Sequence, residues 1–196
     1  MGNSRAYPIL RTPDAALAYT QAKRLVELLE SVEAEVWLMA ELHTVAEVRG
    51  MAKVLPQGPY DYATTRKDPT TGDYLFFEAD VTTADDATLE AALPLEISEE
   101  FPRGEVEDLF VAAIGTGMAA IEWHGMWPTD PETDHHGSPK YDGVQVVFHG
   151  NHAQWGAASE DHTLFVHVDK WGDLPRARKL AAYIGSEVLG EAQLGW

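Results

Sequence analysis

The 196-residue chain contains no cysteine. Without thiols it can form neither a disulfide scaffold nor a thiolate metal site, and it has no cysteine nucleophile. It also lacks any run of about 18 apolar residues, so the sequence predicts no membrane-spanning helix. The first eight residues contain no apolar stretch of the kind found in signal peptides, which favours a cytoplasmic location.

Basic residues are scarce, because 14 Lys and Arg stand against 32 Asp and Glu, giving a formal net charge of −18. Between residues 78 and 108, which we call the acidic segment, eleven acids accompany one base, Arg103. Such a segment repels nucleic acid and anionic membranes but attracts a basic partner. Two simpler explanations stay open: acids favour the N-termini of helices, and acidity is typical of adaptation to high salt.

Complete catalytic motifs are missing as well. No Gly-x-Ser-x-Gly elbow and no His-Glu-x-x-His pair occurs in the sequence. Gly115-Thr116-Gly117 follows a predicted helix, whereas a dinucleotide-binding fingerprint follows a strand. These absences favour a role that is not enzymatic, and we expect no cofactor.

The pattern of apolar residues predicts a single α+β domain over residues 1–196, with a mostly antiparallel sheet of four to five strands and helices packed on one face. We expect an N-terminal helical region at about 13–55, with Thr12 as its N-cap; a strand at 35–39 is the competing interpretation. Sheet and further helices follow from about 73 to 196. The predicted strands are 74–81, 120–127, 144–149 and 163–169, and the later predicted helices are about 84–93, 104–114 and 173–190.

Alternation along the predicted strands gives each an apolar face and a mixed face, since successive side chains point to opposite sides. If the apolar faces align, the mixed faces collect titratable side chains. Three interpretations of these mixed faces stay open. They form a solvent-facing surface, a recognition surface with Tyr74, Phe76 and Phe165 as apolar contacts, or a site for acid–base or metal chemistry. The titratable residues of this set are Glu78, Asp80, Glu122, His124, His149, His167 and Asp169.

Histidines supply the candidate catalytic and metal-binding residues. A neutral imidazole near a carboxylate can act as a base, and without cysteine a zinc or iron site needs histidine and carboxylate ligands. The short spacings in Asp134-His135-His136 and His149-Gly150-Asn151-His152 are not specific, so we expect no metal. The catalytic candidates are His124, His149, His167 and Asp169, and the metal candidates are His149, His152 and His167.

The concentration of acids in one segment favours a non-catalytic binding protein that captures a basic partner protein, such as an inhibitor, an immunity-type protein or a mimic of nucleic-acid charge. Two alternatives stay open: an assembly subunit that docks through loops 56–73 and 128–143, and a metal-dependent hydrolase using histidine and carboxylate. Direct nucleic-acid and membrane binding are not expected, and homo-oligomerisation is left open. The predicted partner-binding residues are Glu78, Asp80, Asp85, Asp86, Glu90, Glu96, Glu99 and Glu100.

Overall fold

The computed structural model describes residues 3–132, 136–154 and 156–196, and for Ser31 and Val32 it describes the backbone alone. The α+β class is confirmed: within these residues, five helices accompany a large antiparallel sheet to which nine strands belong. Contacts divide the chain into two compact units, the first formed by residues 1–36 and 120–196 and the second by residues 37–119. No helix in the described ranges is long and apolar enough to cross a membrane.

The first unit is built around long antiparallel strands. Its strands are β1 (Arg5–Thr12), β2 (Ser31–Val32), β8 (Ala119–Met126, which begins one residue before this part of the unit), β9 (Asp142–Phe148), β10 (His162–His167) and β11 (Gln193–Leu194). Their order is β11-β1-β10-β9-β8, and β2 pairs with β8. In this register Phe165 on β10 lies opposite Gln145 on β9 and Pro8 on β1.

Two of these strands, β9 and β10, are buried along their entire length. Helix α1 (Ala15–Val26) contacts both of them and buries Ala18, Ala22 and Leu25. The prediction of an exposed mixed face is therefore wrong for β9 and β10. Phe165, expected as an apolar contact for a partner, is fully buried.

Aspartates start both helices of the first unit. Asp14, and not Thr12, caps α1 by accepting a hydrogen bond from the Leu17 amide, because Thr12 is the last residue of β1. Asp173 caps α5 (Leu174–Tyr183) in the same way. The predicted end of this helix at 190 is wrong, since the chain leaves the helix at Gly185, where φ is +76°.

The second unit combines a short stretch of sheet with three helices. Its strands β3 (Glu35–Leu42), which begins two residues before the unit, β7 (Leu95–Pro102) and β4 (Tyr60–Tyr62) follow the order β3-β7-β4. Strands β5 (Arg66–Lys67) and β6 (Tyr74–Leu75) form a separate hairpin. Helix α2 (Val45–Val54) contacts α3 (Asp86–Ala92) and α4 (Glu107–Ala113).

Several expectations about these elements are wrong. The region 13–55 is not helical throughout, because Val36, Leu38, Ala40 and Leu42 are buried with the two-residue period of strand β3. The strand expected at 74–81 ends at Leu75. The sheet exceeds four to five strands because the sequence did not predict β1, β4, β7 or the two-residue β2 and β11, and because β3 was only the competing interpretation, as a strand at 35–39. Helices α3, α4 and α5 and strands β8, β9 and β10 are confirmed, and packing of all helices on one face stays a prediction.

Candidate functional site

All eight predicted partner-binding acids belong to the second unit. Glu96 on β7 is half-buried. The other seven are exposed: Glu78, Asp80, Asp85, Asp86, Glu90, Glu99 and Glu100. The acidic segment therefore presents a negative surface to solvent.

Three of these acids also have local structural roles. Asp80 accepts hydrogen bonds from the hydroxyl and backbone amide of Thr82, and these bonds hold its pKa below the usual value. Asp85 caps α3, and Asp86 pairs with Arg49 at 3.0 Å. Helix capping thus explains part of the acidity, as the simpler interpretation predicted.

Glu96 occupies a different environment. It lies directly opposite Asp61 in the antiparallel pairing of β7 with β4, and like charges in that position repel. Burial, followed by the repulsion of Glu41 and Asp61, raises the pKa of Glu96 above its usual value. Neither Glu96 nor Asp61 forms an ion pair with any residue that the structure describes. Two facing carboxylates without an ion-pair partner among the described residues are more typical of a binding site than of a structural pair.

An exposed apolar segment, Tyr74-Leu75-Phe76, lies beside these carboxylates. Its side chains are 62%, 43% and 67% exposed, respectively. Asp61 helps to hold the segment, since its carboxylate accepts a hydrogen bond of 2.8 Å from the Phe77 amide. Consecutive exposed apolar side chains rimmed by polar groups are typical of interaction sites.

Asp61, Glu96 and the apolar segment line a common cavity of about 230 Å³. Arg66 closes one wall: its guanidinium lies 4.0 Å from the centre of the Tyr62 ring and donates to the carbonyls of Ala92 and Leu93. The volume falls below the roughly 300–1,000 Å³ of ordinary small-molecule pockets. A single side chain of a partner fits this size better than a cofactor does. We call this feature the acidic pocket.

Among the histidine candidates, His167 and His124 meet in the first unit. His167 is fully buried, and burial, followed by the neighbouring His124, lowers its pKa well below the usual value. Its Nδ1 lies 2.8 Å from Ser4 Oγ and its Nε2 lies 3.0 Å from Gln145 Oε1. The indole of Trp196 stacks on His167 with 3.5 Å between ring centroids and lies 4.1 Å from the His124 ring.

The other two catalytic candidates lie just beyond strand ends. His149 and Asp169 follow β9 and β10, and both have positive φ angles, +52° and +51°. His149 packs its ring 4.7 Å from the His162 ring, and Asp169 accepts a hydrogen bond from the Trp171 amide. Glu78 and Asp80, expected on the same face, lie outside any strand of the second unit.

The described part of the chain contains no group of three or more His, Asp or Glu side chains that could hold a metal ion. Of the metal candidates, His152 is exposed, His149 is half-buried, and both ring nitrogens of His167 are occupied by hydrogen-bonding partners. Asp134 and His135 lie outside the described residues.

No family model, curated protein or solved structure matches this chain. Function must therefore be inferred from the residues themselves.

Sequence reasoning missed two groups of residues. The first comprises Asp61 and Glu41, which surround Glu96; the alternation Tyr60-Asp61-Tyr62 was a usable signal for a strand that presents Asp61 outward. The second is the buried polar chain Ser4–His167–Gln145–Glu122, in which Gln145 Nε2 donates to Glu122 Oε1 at 2.7 Å. Ser4 and His167 are 163 positions apart, so no local pattern could reveal this chain.

Proposed function

We propose that the protein captures a basic partner protein through its second unit, as an inhibitor, an immunity-type protein or a mimic of nucleic-acid charge does, and that this surface acts without catalysis. The observation that carries the proposal is the acidic pocket, where Glu96 and Asp61 face each other and neither forms an ion pair with a described residue. A Lys or Arg side chain from the partner would relieve their repulsion. Apolar neighbours of that side chain would pack on Tyr74 and Phe76.

The distribution of charge supports this choice of unit. Residues 37–119 contain sixteen acids against five bases, whereas the rest of the chain contains sixteen acids against nine bases. Concentrated charge of one sign accelerates the association of an oppositely charged partner and disfavours wrong ones. The exposed glutamates of the acidic segment would therefore act during approach, and the pocket would act after contact.

The test measures association with a fluorescein-labelled octalysine peptide by stopped-flow fluorescence at several salt concentrations. We expect the triple variant E96Q/E99Q/E100Q to slow association about tenfold at low salt and to flatten its salt dependence. These three glutamates lie on β7, away from helix ends, so their removal does not weaken a helix cap.

The matched control is E160Q/E187Q/E191Q, which removes the same charge from exposed glutamates of the first unit. This control should change association little. Equal slowing by both triple variants would show that total charge matters and its location does not. No slowing by either would leave the acids as solubility features and remove the support for the proposal.

A further inference from the structure

The hydrogen bonds of the buried polar chain have a defined direction. The Gln145 amide nitrogen donates both to Glu122 Oε1, at 2.7 Å, and to the Ala153 carbonyl, at 2.9 Å, so its oxygen must face His167. His167 Nε2 therefore carries the proton and donates to Gln145 Oε1. Because this buried imidazole is neutral, its Nδ1 has a free lone pair and accepts a hydrogen bond from the Ser4 hydroxyl.

This order of donors and acceptors is the one that activates a hydroxyl nucleophile. A serine hydroxyl within hydrogen-bond distance of an imidazole base, with the base oriented by a third group, is the diagnostic arrangement. The buried Thr163 hydroxyl provides a contrast within the same unit, since it donates to the Gly150 carbonyl and not to an imidazole nitrogen.

A second feature adjoins the Ser4 hydroxyl. The carbonyl oxygen of Gly195 accepts two side-chain amide hydrogen bonds, from Asn3 Nδ2 at 2.8 Å and from Gln154 Nε2 at 2.9 Å. Ser4 Oγ and His167 Nδ1 lie so close to Gly195 that a Cβ there would collide with both. Two donors that converge on one carbonyl beside a hydroxyl provide what an acyl oxyanion requires.

A third feature is the slot that holds the Trp196 ring. The indole lies against His167 and His124, and a Cβ on Gly143 would collide with its six-membered ring. The indole Nε1 is buried and has no hydrogen-bond partner among the residues that the structure describes. Stacking and shape hold this ring in place, so the slot suits aromatic rings in general.

From these three features we propose that Ser4 is the nucleophile of an acyl-transfer site. Gly195 and Trp196 cover this site in the way that a bound substrate analogue would. The site would take esters or amides that carry an aromatic ring on the leaving group, with that ring in the Trp196 slot. The proposal concerns the first unit alone and does not rest on the binding proposed for the second unit.

In the reaction, Ser4 Oγ attacks the substrate carbonyl carbon while its proton passes to His167 Nδ1. The amides of Asn3 and Gln154 stabilise the oxyanion. The bond to the aromatic leaving group then breaks, and His167 returns the proton to that group. Water hydrolyses the acyl-Ser4 ester by the same steps and releases a carboxylic acid, so no reactant other than substrate and water is needed.

The experiment treats the full chain with a fluorophosphonate probe, which phosphonylates activated serines, and locates the adduct by peptide mass spectrometry. Ser4 is buried under the cover, so labelling of the unaltered protein should be slow. Trp196→Ala should label Ser4 about tenfold faster, because the cover loses the stacking of its indole and is then held by the backbone hydrogen bonds between Ser4 and residues 195–196. With p-nitrophenyl acetate, whose leaving group is aromatic, the same variant should accumulate acetyl-Ser4.

Two controls make the result specific. Adding Ser4→Ala to Trp196→Ala should abolish the adduct. Adding Ser186→Ala, a serine whose hydroxyl donates to the Ile9 carbonyl, should leave the adduct unchanged. If Trp196→Ala does not fold by circular dichroism, Trp196→Leu and prolonged labelling of the unaltered protein replace it. Absence of any Ser4 adduct in folded protein, or an adduct that survives Ser4→Ala, would overturn the proposal.

Discussion

The two units place their polar side chains in opposite environments. In the first unit, Ser4, His167 and Gln145 are buried and satisfy one another. In the second unit, Glu96 and Asp61 are partly exposed and repel each other. Buried groups that depend on one another are costly to alter, whereas exposed like charges cost little and remain available to a partner. The polar groups of the first unit therefore contribute to stability, whereas the carboxylates of the second unit remain available to a partner.

The largest effect should come from His167→Ala in the first unit. The change removes a buried ring and leaves the Ser4 hydroxyl and the Gln145 carbonyl without their partners. We expect a loss of about 4 kcal/mol in the free energy of unfolding, measured by urea denaturation. Glu99→Ala, an exposed change in the second unit, should stay within about 0.5 kcal/mol. A His167→Ala variant as stable as Glu99→Ala would refute the proposed difference in stability between the buried polar groups of the first unit and the exposed charges of the second.

Glu47→Ala should produce the next largest effect, and it shows where the comparison fails. Although Glu47 belongs to the second unit, its carboxylate accepts hydrogen bonds from the amides of His43, Thr44 and Thr116. Burial acts to raise the pKa of Glu47, but these bonds outweigh it and lower the pKa. We expect a loss of about 2 kcal/mol, with Glu90→Ala as the exposed control. A loss no greater than that of Glu90→Ala would show that these three hydrogen bonds contribute little to stability.

Acidification should weaken the first unit. The folded state lowers the pKa of His167, so below about pH 6.5 the unfolded chain binds a proton that the folded chain does not. The free energy of unfolding therefore falls by up to about 1.4 kcal/mol per pH unit between pH 6.5 and 5. His162, whose pKa burial and His149 also lower, adds to this trend. His167→Gln should reduce the dependence of the free energy of unfolding on pH. This dependence can be measured by urea denaturation and by hydrogen exchange of the β10 amides. An unchanged pH dependence would contradict the role assigned to His167.

The smallest effect has the opposite sign and belongs to the acidic pocket. Because the pKa of Glu96 is raised, its charged form lowers the stability of the folded state above the ordinary glutamate pKa. Glu96→Gln should therefore stabilise the protein at pH 7, by only a few tenths of a kcal/mol because solvent screens this half-buried group. The gain should vanish below about pH 4, where Glu96 is protonated in both states. Destabilisation at pH 7 would show that Glu96 has a favourable partner.

Local patterns in the sequence were enough to locate the central strands and the later helices. The valines of β9 and the Asp173–Pro175 start of α5 are short-range signals, and they agree with the structure. The stretch of strand β3 contains no Gly or Pro and therefore favours a helix in the sequence, although its two-residue period supports the competing strand. The site residues could be predicted only in part. Glu96 was identified from its charge, but its position opposite Asp61 depends on strand register, which one sequence does not specify.

The pairing of β1 with β11 has a consequence for the order of folding. Residues 3 and 195 are 192 positions apart, so their contacts close a loop of almost the whole chain, whereas β9 and β10 are joined by a short connection. Contacts that close longer loops cost more entropy and form later. We therefore expect the β9–β10 pair to form early and the 193–196 segment to dock last. A newly made chain would therefore pass through a stage in which His167 already lies in its strand while Ser4 has not yet reached its position beside it.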